Sequence, residues 1–382
     1  MAGNPEQARI LNRCLILTQL KGGKALSRVE LSKILDLSKM TVSVIVSDLI
    51  SEGLVAEVGE GEAARSGGRK PILLALSKNK YVIGFDIGEA TTSVALSDLQ
   101  GNVIDGCSLS TSKDKTPDCI VRQIVEQYRN LVEANNIDES TVIGIGVSAA
   151  GLVDKEKGNI LFSPDFNWKN LNLRNLLNLR IGQPVTIDNC TRVMALGETW
   201  YGVAQSSVNL LYVNVGYGIG SALMIGGKLY NNNSEFGHIR VTNKDVSCHC
   251  GKEGCLEAVA SGYAIERAYH QAKGGRGVWN SAKDIADMAR NGDKDATGIF
   301  NDAGRYLGRS ISMAVNLFNP DKVVIGGGIS LAEDLLMTSL LEEYRRNTMD
   351  VIRDKTLLEV STLGQKAGVR GAVALALDSF LE

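Results

Sequence analysis

The chain has 382 residues, a net charge of −2, and 44% apolar against 22% charged residues; that is enough for two or three domains with real cores, and it is neither a disordered nor a fibrous composition. No run of 18 apolar residues occurs, and the opening MAGNPEQARILNR lacks the apolar stretch of a signal peptide, so a spanning helix and secretion are not expected. The charge is uneven: residues 1–80 hold 12 Lys or Arg and 8 Asp or Glu, leaving −6 for the remainder, so only the front end is suited to a polyanion.

Three short helices are predicted at the front. Ile10, Leu11, Leu15, Ile16 and Leu20 recur at helical spacing over Ala8–Leu20, and Gly22-Gly23 stops the run. Ser27-Arg28-Val29-Glu30 is a capping box that opens a second helix, reaching about Leu35. Ser38 caps a third, whose Val42, Ile45, Val46 and Leu49 turn inward. Two short helices joined tightly, the second opening on small polar residues, make a helix-turn-helix. Arg28, Ser38, Lys39, Thr41 and Ser43 are the candidate contacts to phosphates and base edges. A strand after Glu52-Gly53, the glycine-rich 59–68 segment and the return through Pro71–Leu74 read as a wing. Arg65, Arg69 and Lys70 would lie along DNA there. The competing reading is a small docking domain with solvated cations.

Beyond residue 80 the pattern is that of an α/β protein. Tyr81–Gly88 is a strand entering a glycine turn, and Thr91–Leu96 returns from it. Thr116–Ala134 is a long helix, Thr141–Ser148 a buried strand, Pro184–Asp188 a short strand and Cys190–Trp200 a helix. Leu210–Gly216 followed by Tyr217-Gly218-Ile219-Gly220 repeats the strand–glycine-turn–strand unit. Asp321–Ile325 runs into a third glycine run, Gly326-Gly327-Gly328. Helices are expected at Ser261–His270, Ile285–Met288, Gly304–Phe318 and Glu333–Asn347. Each glycine turn alone is an ordinary hairpin. Two similar hairpins, far apart, suggest two similar lobes around a cleft whose backbone N–H groups can approach phosphates.

Between Glu235 and Cys255 lie three of the seven cysteines and two of the three histidines. Cysteines this close and odd in total number fit a reducing cytoplasm better than a disulfide framework. Cys248, Cys250 and Cys255 with one imidazole suit a closed tetrahedral zinc site of structural type. His238, ten residues upstream, is the better fourth ligand. His249 is the alternative, although its two cysteine neighbours would turn it away.

These residues together resemble the ROK family of repressors, open-reading-frame proteins and kinases. The pattern is Gly218–Gly227, then Glu235-Phe236-Gly237-His238, then Cys248-x-Cys250-Gly251-x-x-Gly254-Cys255-x-Glu257, and the resemblance covers essentially the whole chain. It implies an α/β architecture: an N-terminal winged helix-turn-helix (1–78), then a two-lobed actin/hexokinase-like, ribonuclease H-like body. The first lobe would be 79–190, and the second 191–382 with the zinc loop, its C-terminal helices returning to the first lobe. It further implies that Asn189, Glu235, His238 and Glu257 contact sugar hydroxyls, and that metal at His238 holds that corner in shape.

Three positions depart from the family's kinases. Asp188-Asn189-Cys190 stands where they have Glu-Asn-Asp, so a thiol replaces the catalytic base. Glu89 puts a negative charge in the first phosphate loop, and Tyr217 replaces a small residue in the second. The expected protein is therefore a non-enzymatic, cytoplasmic, sugar-responsive repressor of carbohydrate uptake or catabolism genes. It would bind a palindromic double-stranded operator as a homodimer or higher homo-oligomer, with structural Zn2+ and a monosaccharide effector of the glucose, N-acetylglucosamine or xylose kind. The alternatives are an ATP-dependent sugar kinase with an added DNA-binding domain, and a repressor controlled by a protein partner.

Overall fold

The computed structural model describes residues 5–62, 70–205, 207–230, 234–275, 278–328 and 332–381. Its front end forms α1 (Pro5–Gln19), β1 (Leu26–Ser27), α2 (Arg28–Leu35), α3 (Lys39–Ser51), β2 (Val55–Glu60) and β3 (Ile72–Leu76). The strands pair antiparallel in the order β1-β3-β2. The capping box forms: Ser27 accepts from the Glu30 N–H, and the Glu30 carboxylate accepts from the Ser27 N–H at 2.8 Å. Ser38 caps α3 by accepting from the Thr41 N–H at 3.0 Å. Leu31, Val42, Ile45, Val46 and Leu49 are buried. Ile10 and Leu11 are exposed, contrary to the sequence pattern. Ile16 and Leu20 of that pattern are buried, with Leu17 beside them, and Arg9 and Arg13 pair with Asp48 of α3 (2.7 Å) and with Glu52 just after it.

Next come β4 (Tyr81–Ile87), β5 (Thr91–Asp98), β6 (Val103–Ser110), α4 (Pro117–Ala134), β7 (Val142–Ala149), β8 (Leu152–Asp154), β9 (Asn159–Ser163), β10 (Trp168–Leu171), α5 (Leu173–Ile181), β11 (Val185–Asn189) and α6 (Cys190–Tyr201). The remainder is β12 (Leu210–Val215), β13 (Ile219–Ile225), β14 (Lys228–Leu229), α7 (Leu256–Ala260), α8 (Gly262–Ala272), α9 (Ala282–Arg290), α10 (Lys294–Phe318), β15 (Lys322–Gly326), α11 (Glu333–Asn347), α12 (Asp350–Arg353), β16 (Leu357–Val360) and α13 (Ala367–Leu381). The chain divides into two units, Met1–Val193 with Gly368–Glu382, and Met194–Ala367.

The first unit carries a five-stranded sheet, β11-β7-β4-β5-β6, and a small sheet, β10-β9-β8. β4, β5 and β6 run antiparallel, while β7 and β11 are parallel to β4. α13 lies directly on this sheet. A Cβ on Gly84 would meet the Val373 N at 2.4 Å, and one on Gly146 the Ala372 O at 2.0 Å, so both positions require glycine. The front domain joins the same unit: Gln100 Nε2 donates to the Leu76 O at 2.8 Å, and Lys21 pairs with Asp378 of α13 at 3.2 Å.

The second unit repeats the plan with its own sheet, β14-β13-β12-β15-β16. β12 and β13 form the antiparallel hairpin, and β15 and β16 are parallel additions. α10 is longer than the sequence pattern indicated, because Asp293 caps it by accepting from the N–H groups of Asp295 and Ala296. No helix among the described residues is long and apolar enough to cross a membrane.

In the first unit, Asp188 and Arg192 form an ion pair at 2.8 Å with side chains 1% and 5% exposed. A buried charge stripped of its partner is strongly destabilising. Arg192→Met should therefore lower unfolding free energy by about 3–5 kcal/mol in denaturant titration. An unchanged midpoint would contradict the pairing.

Candidate functional site

Backbone bonds shape the metal loop before its side chains act. Cys248 N–H donates to the Lys252 O at 2.8 Å, and Gly251 N–H to the Cys248 O at 3.0 Å. Gly251 and Gly254 have φ of +82° and +73°, a region glycine adopts without strain. Short bridges pair Arg240 with Cys255 and Ser247 with Glu253. The ligand atoms of His238, Cys248, Cys250 and Cys255 then lie within 4.8 Å of one another. Around a tetrahedral zinc, metal–ligand lengths place two sulfurs about 3.8 Å apart, and a sulfur and a nitrogen about 3.6 Å apart. The observed Cys250–Cys255 sulfur separation is 3.7 Å, and Cys248 Sγ lies 3.6 Å from His238 Nδ1. The donor set fits a metal ion of that kind. His249 is turned elsewhere, its ring 4.6 Å from that of Tyr263.

Three of the four expected sugar contacts gather around this loop, all in the second unit. His238 presents Nδ1 to the sulfurs and Nε2 toward Glu235 Oε2 at 3.8 Å. Glu257 sits in the first turn of α7, as a helix N-terminal charge would. Its Oε2 accepts from the Ile219 N–H at 2.9 Å, tying it to the second glycine turn, and its Oε1 lies 3.9 Å from Cys248 Sγ. The fourth, Asn189, belongs to the first unit. Its Oδ1 accepts from the N–H groups of Thr191 and Arg192, and its Nδ2 donates to the Gly151 O at 2.8 Å. Asn189 thus caps α6, and these bonds leave one amide N–H for a ligand.

The base position is in the first unit. Asp86, at the end of β4, is partly buried and accepts from Ser148 Oγ at 2.5 Å. Burial raises its pKa, opposed by that hydrogen bond. Burial also pushes the Cys190 thiol up to about 12, helped by the negative charges of Asp86 and Asp165. Cys190 is therefore a neutral thiol at neutral pH and cannot take a hydroxyl proton. Asp188, the neighbouring carboxylate, is 1% exposed and paired with Arg192, and its Oδ1 accepts from Arg192 Nε at 2.8 Å and from the Asn189 N–H at 2.7 Å.

Sequence reasoning missed Lys115. Its ammonium donates to the Glu89 O in the first glycine turn and lies 5.0 Å above the Phe166 ring. Its carbonyl accepts from Trp168 Nε1 at 2.8 Å. The first glycine turn and the 163–168 loop are thus fastened to one lysine. These partners are 26 and 53 positions away in the chain, and nothing local in the sequence signals them.

On α3, Lys39 is exposed and Thr41 and Ser43 are half-buried. The Ser38 hydroxyl bonds the Thr41 hydroxyl at 2.8 Å as well as capping the helix. Arg28 is paired with Glu57 at 3.1 Å, and Lys70 lies 3.8 Å from Glu60. Arg65 and Arg69 lie outside the described residues. Met40 and Val44, 75% and 51% exposed, share the outward side of α3 and were not foreseen. Apolar side chains there can meet thymine methyl groups. The signal was available: they stand four apart and out of phase with the buried Val42–Leu49 set.

The sequence model of the ROK family matches residues 82–379. The chain belongs to the ROK family. It is 30% identical to the xylose repressor of Caldicellulosiruptor bescii over 99% of this chain and 98% of that one. The glucokinase of Thermotoga maritima is 32% identical, over 77% of this chain and 96% of its own. A crystal structure of a ROK family transcriptional regulator, a homologue of the Escherichia coli Mlc protein, superposes with a TM-score of 0.85 at 28% identity, covering 98% of both chains. Among ROK proteins, then, the two regulators match this chain nearly end to end, and the glucokinase about three-quarters of it.

Cys248→Ser removes one ligand from the cluster. Elemental analysis of purified protein should give one metal ion per chain in the parent and well under one in the variant. Full retention in the variant would contradict the four-residue site.

Proposed function

We propose that this ROK protein is a sugar-responsive transcriptional repressor whose kinase-like body binds its effector and does not phosphorylate it. The observation that carries the reading is Cys190, a protonated thiol in the base position. The exposed Glu89 adds negative charge beside Asp165, whose pKa is raised first by burial and then by Glu89. A triphosphate would meet repulsion there. The near full-length likeness to a xylose repressor, front domain included, supports the regulatory half of the reading.

In this reading α3 reads the major groove, with Ser38, Lys39, Thr41 and Ser43 on its outward side and Arg28, Arg65, Arg69 and Lys70 along the backbone. A palindromic operator requires two copies, so the working form is a homodimer or a higher oligomer acting in the cytoplasm. The metal is zinc, held by His238, Cys248, Cys250 and Cys255 in a closed structural site. Glu235, His238 and Glu257 contact a monosaccharide, and xylose is the first candidate on the strength of the repressor relative.

A ligand shifts DNA binding only if it prefers one of two protein states. Fragments selected from genomic DNA by the purified protein supply the operator. Titration with xylose, glucose and N-acetylglucosamine should then weaken operator binding by roughly 5–150-fold for the sugar that binds. A sugar that binds with no change in operator affinity would sink the effector assignment.

A further inference from the structure

Aromatic residues are scarce here, at 5% of the chain, yet several gather on one surface of the second unit. Tyr217 follows the end of β12, and its ring lies 5.5 Å from that of Tyr263 on α8. Tyr263 touches His249 at 4.6 Å and lies nearly parallel to Trp279, 6.3 Å away and inclined by 25°. Trp279 in turn meets His270 at 4.9 Å. Two of the three histidines in the chain belong to this row. Tyr217 and Trp279 are 65% and 46% exposed, so the rings do not serve a core.

The row is held in place by polar bonds. Trp279 Nε1 donates to Glu266 Oε2 at 3.0 Å, and Glu266 Oε1 accepts from the Ala282 N–H at 2.9 Å. Tyr263 N–H donates to the Tyr217 O at 3.1 Å, and Gly262 N–H to the Gly216 O at 2.8 Å. Arg267 lies 5.6 Å from the Tyr263 ring centre while donating to the carbonyls of Ser247 and Ala258. Fixed, half-exposed rings, with the Trp279 N–H already bonded, present apolar faces at low entropic cost. Exposed apolar surface of this kind marks a binding site more often than chance.

Its neighbourhood says what it binds. Tyr217 is one residue from Gly218, where an added Cβ would lie 2.6 Å from Glu257 Oε2, and two from Ile219, whose N–H holds that carboxylate. His249 ties the other side of the row to the metal loop, between Cys248 and Cys250. The rings therefore continue outward from the carboxylate assigned above to the sugar. A pyranose has polar edges suited to carboxylates and an apolar C–H face suited to aromatic rings. A phosphate-bearing ligand is disfavoured, because the bulk of Tyr217 stands at the turn where a small residue would admit phosphate to backbone N–H groups.

We infer that Tyr217, Tyr263 and Trp279 form a second saccharide subsite, so that the preferred effector is a disaccharide whose outer pyranose ring stacks on this shelf. The inference rests on the sugar-binding reading proposed above. It turns the place of the second phosphate loop into a surface for another sugar ring.

Calorimetric titration of the full-length protein with xylose and xylobiose, glucose and cellobiose, and N-acetylglucosamine and its β-1,4 dimer tests it. For one pair the disaccharide should bind about tenfold tighter or more. Trp279→Ala and Tyr217→Ser should each collapse that ratio toward one. A wild-type measurement guards against misfolded variants. Trp168 and Trp200 are buried, so acrylamide quenching reports mainly on Trp279, and the disaccharide alone should protect it. If monosaccharides bind and their dimers bind no better, or quenching is unaffected by the dimer, the shelf is refuted and the sugar corner stands. If no saccharide of either length binds, the sugar reading itself falls, and the shelf with it.

Discussion

The geometry on which the proposed sugar corner depends is the convergence of three thiols and one imidazole on one point. The donor atoms of His238, Cys248, Cys250 and Cys255 lie within 4.8 Å of one another, and the Cys250–Cys255 and Cys248–His238 separations match those around a tetrahedral ion. Everything expected to touch a sugar in the second unit hangs on that point. His238 turns one ring nitrogen to Cys248 Sγ and the other toward Glu235, while Glu257 lies in the first turn of the helix that follows Cys255. Short loops of this kind are ordered by metal binding itself, so on the proposed reading ion and sugar corner are coupled.

A second constraint decides what the body can do once a sugar is held. A transferring enzyme needs a base poised near neutral pH at the sugar hydroxyl. Here that position holds a thiol pushed well away from neutrality by burial and by nearby carboxylates. The first glycine turn is also tied up by Lys115, which fastens it to the aromatic pair Phe166 and Trp168, 4.5 Å apart. Binding energy that a kinase would direct to a transition state is available here to favour one conformation over another. On the proposed reading, the loss of chemistry and the gain of regulation have one cause.

Much of this was legible in the sequence where the signal is local. The Ser27–Glu30 capping box, the Ser38 cap, the buried face of α3 and the cysteine spacing are set by neighbours a few positions apart, and all appear as read. What escaped depends on distant partners. β6 is an exposed edge strand with no apolar alternation to betray it. The Lys115 bonds and the ring row from Tyr217 to Trp279 join residues far apart in the chain, and no periodicity marks them. Asn189 entered as a sugar contact through the family resemblance, and the use of its oxygen to cap α6 is visible only once the following helix is formed. Ile10 and Leu11 look like core residues because helical spacing shows that a face exists, not which neighbour covers it.

The central claim is that a bound sugar controls DNA binding and leaves unchanged. The most direct measurement is mass spectrometry of the sugar recovered after it has released the operator in the presence of magnesium and ATP. Operator release is expected with the sugar's mass unaltered, and the same release when ATP is omitted. Recovery of phosphorylated sugar, or release that requires ATP, would contradict it.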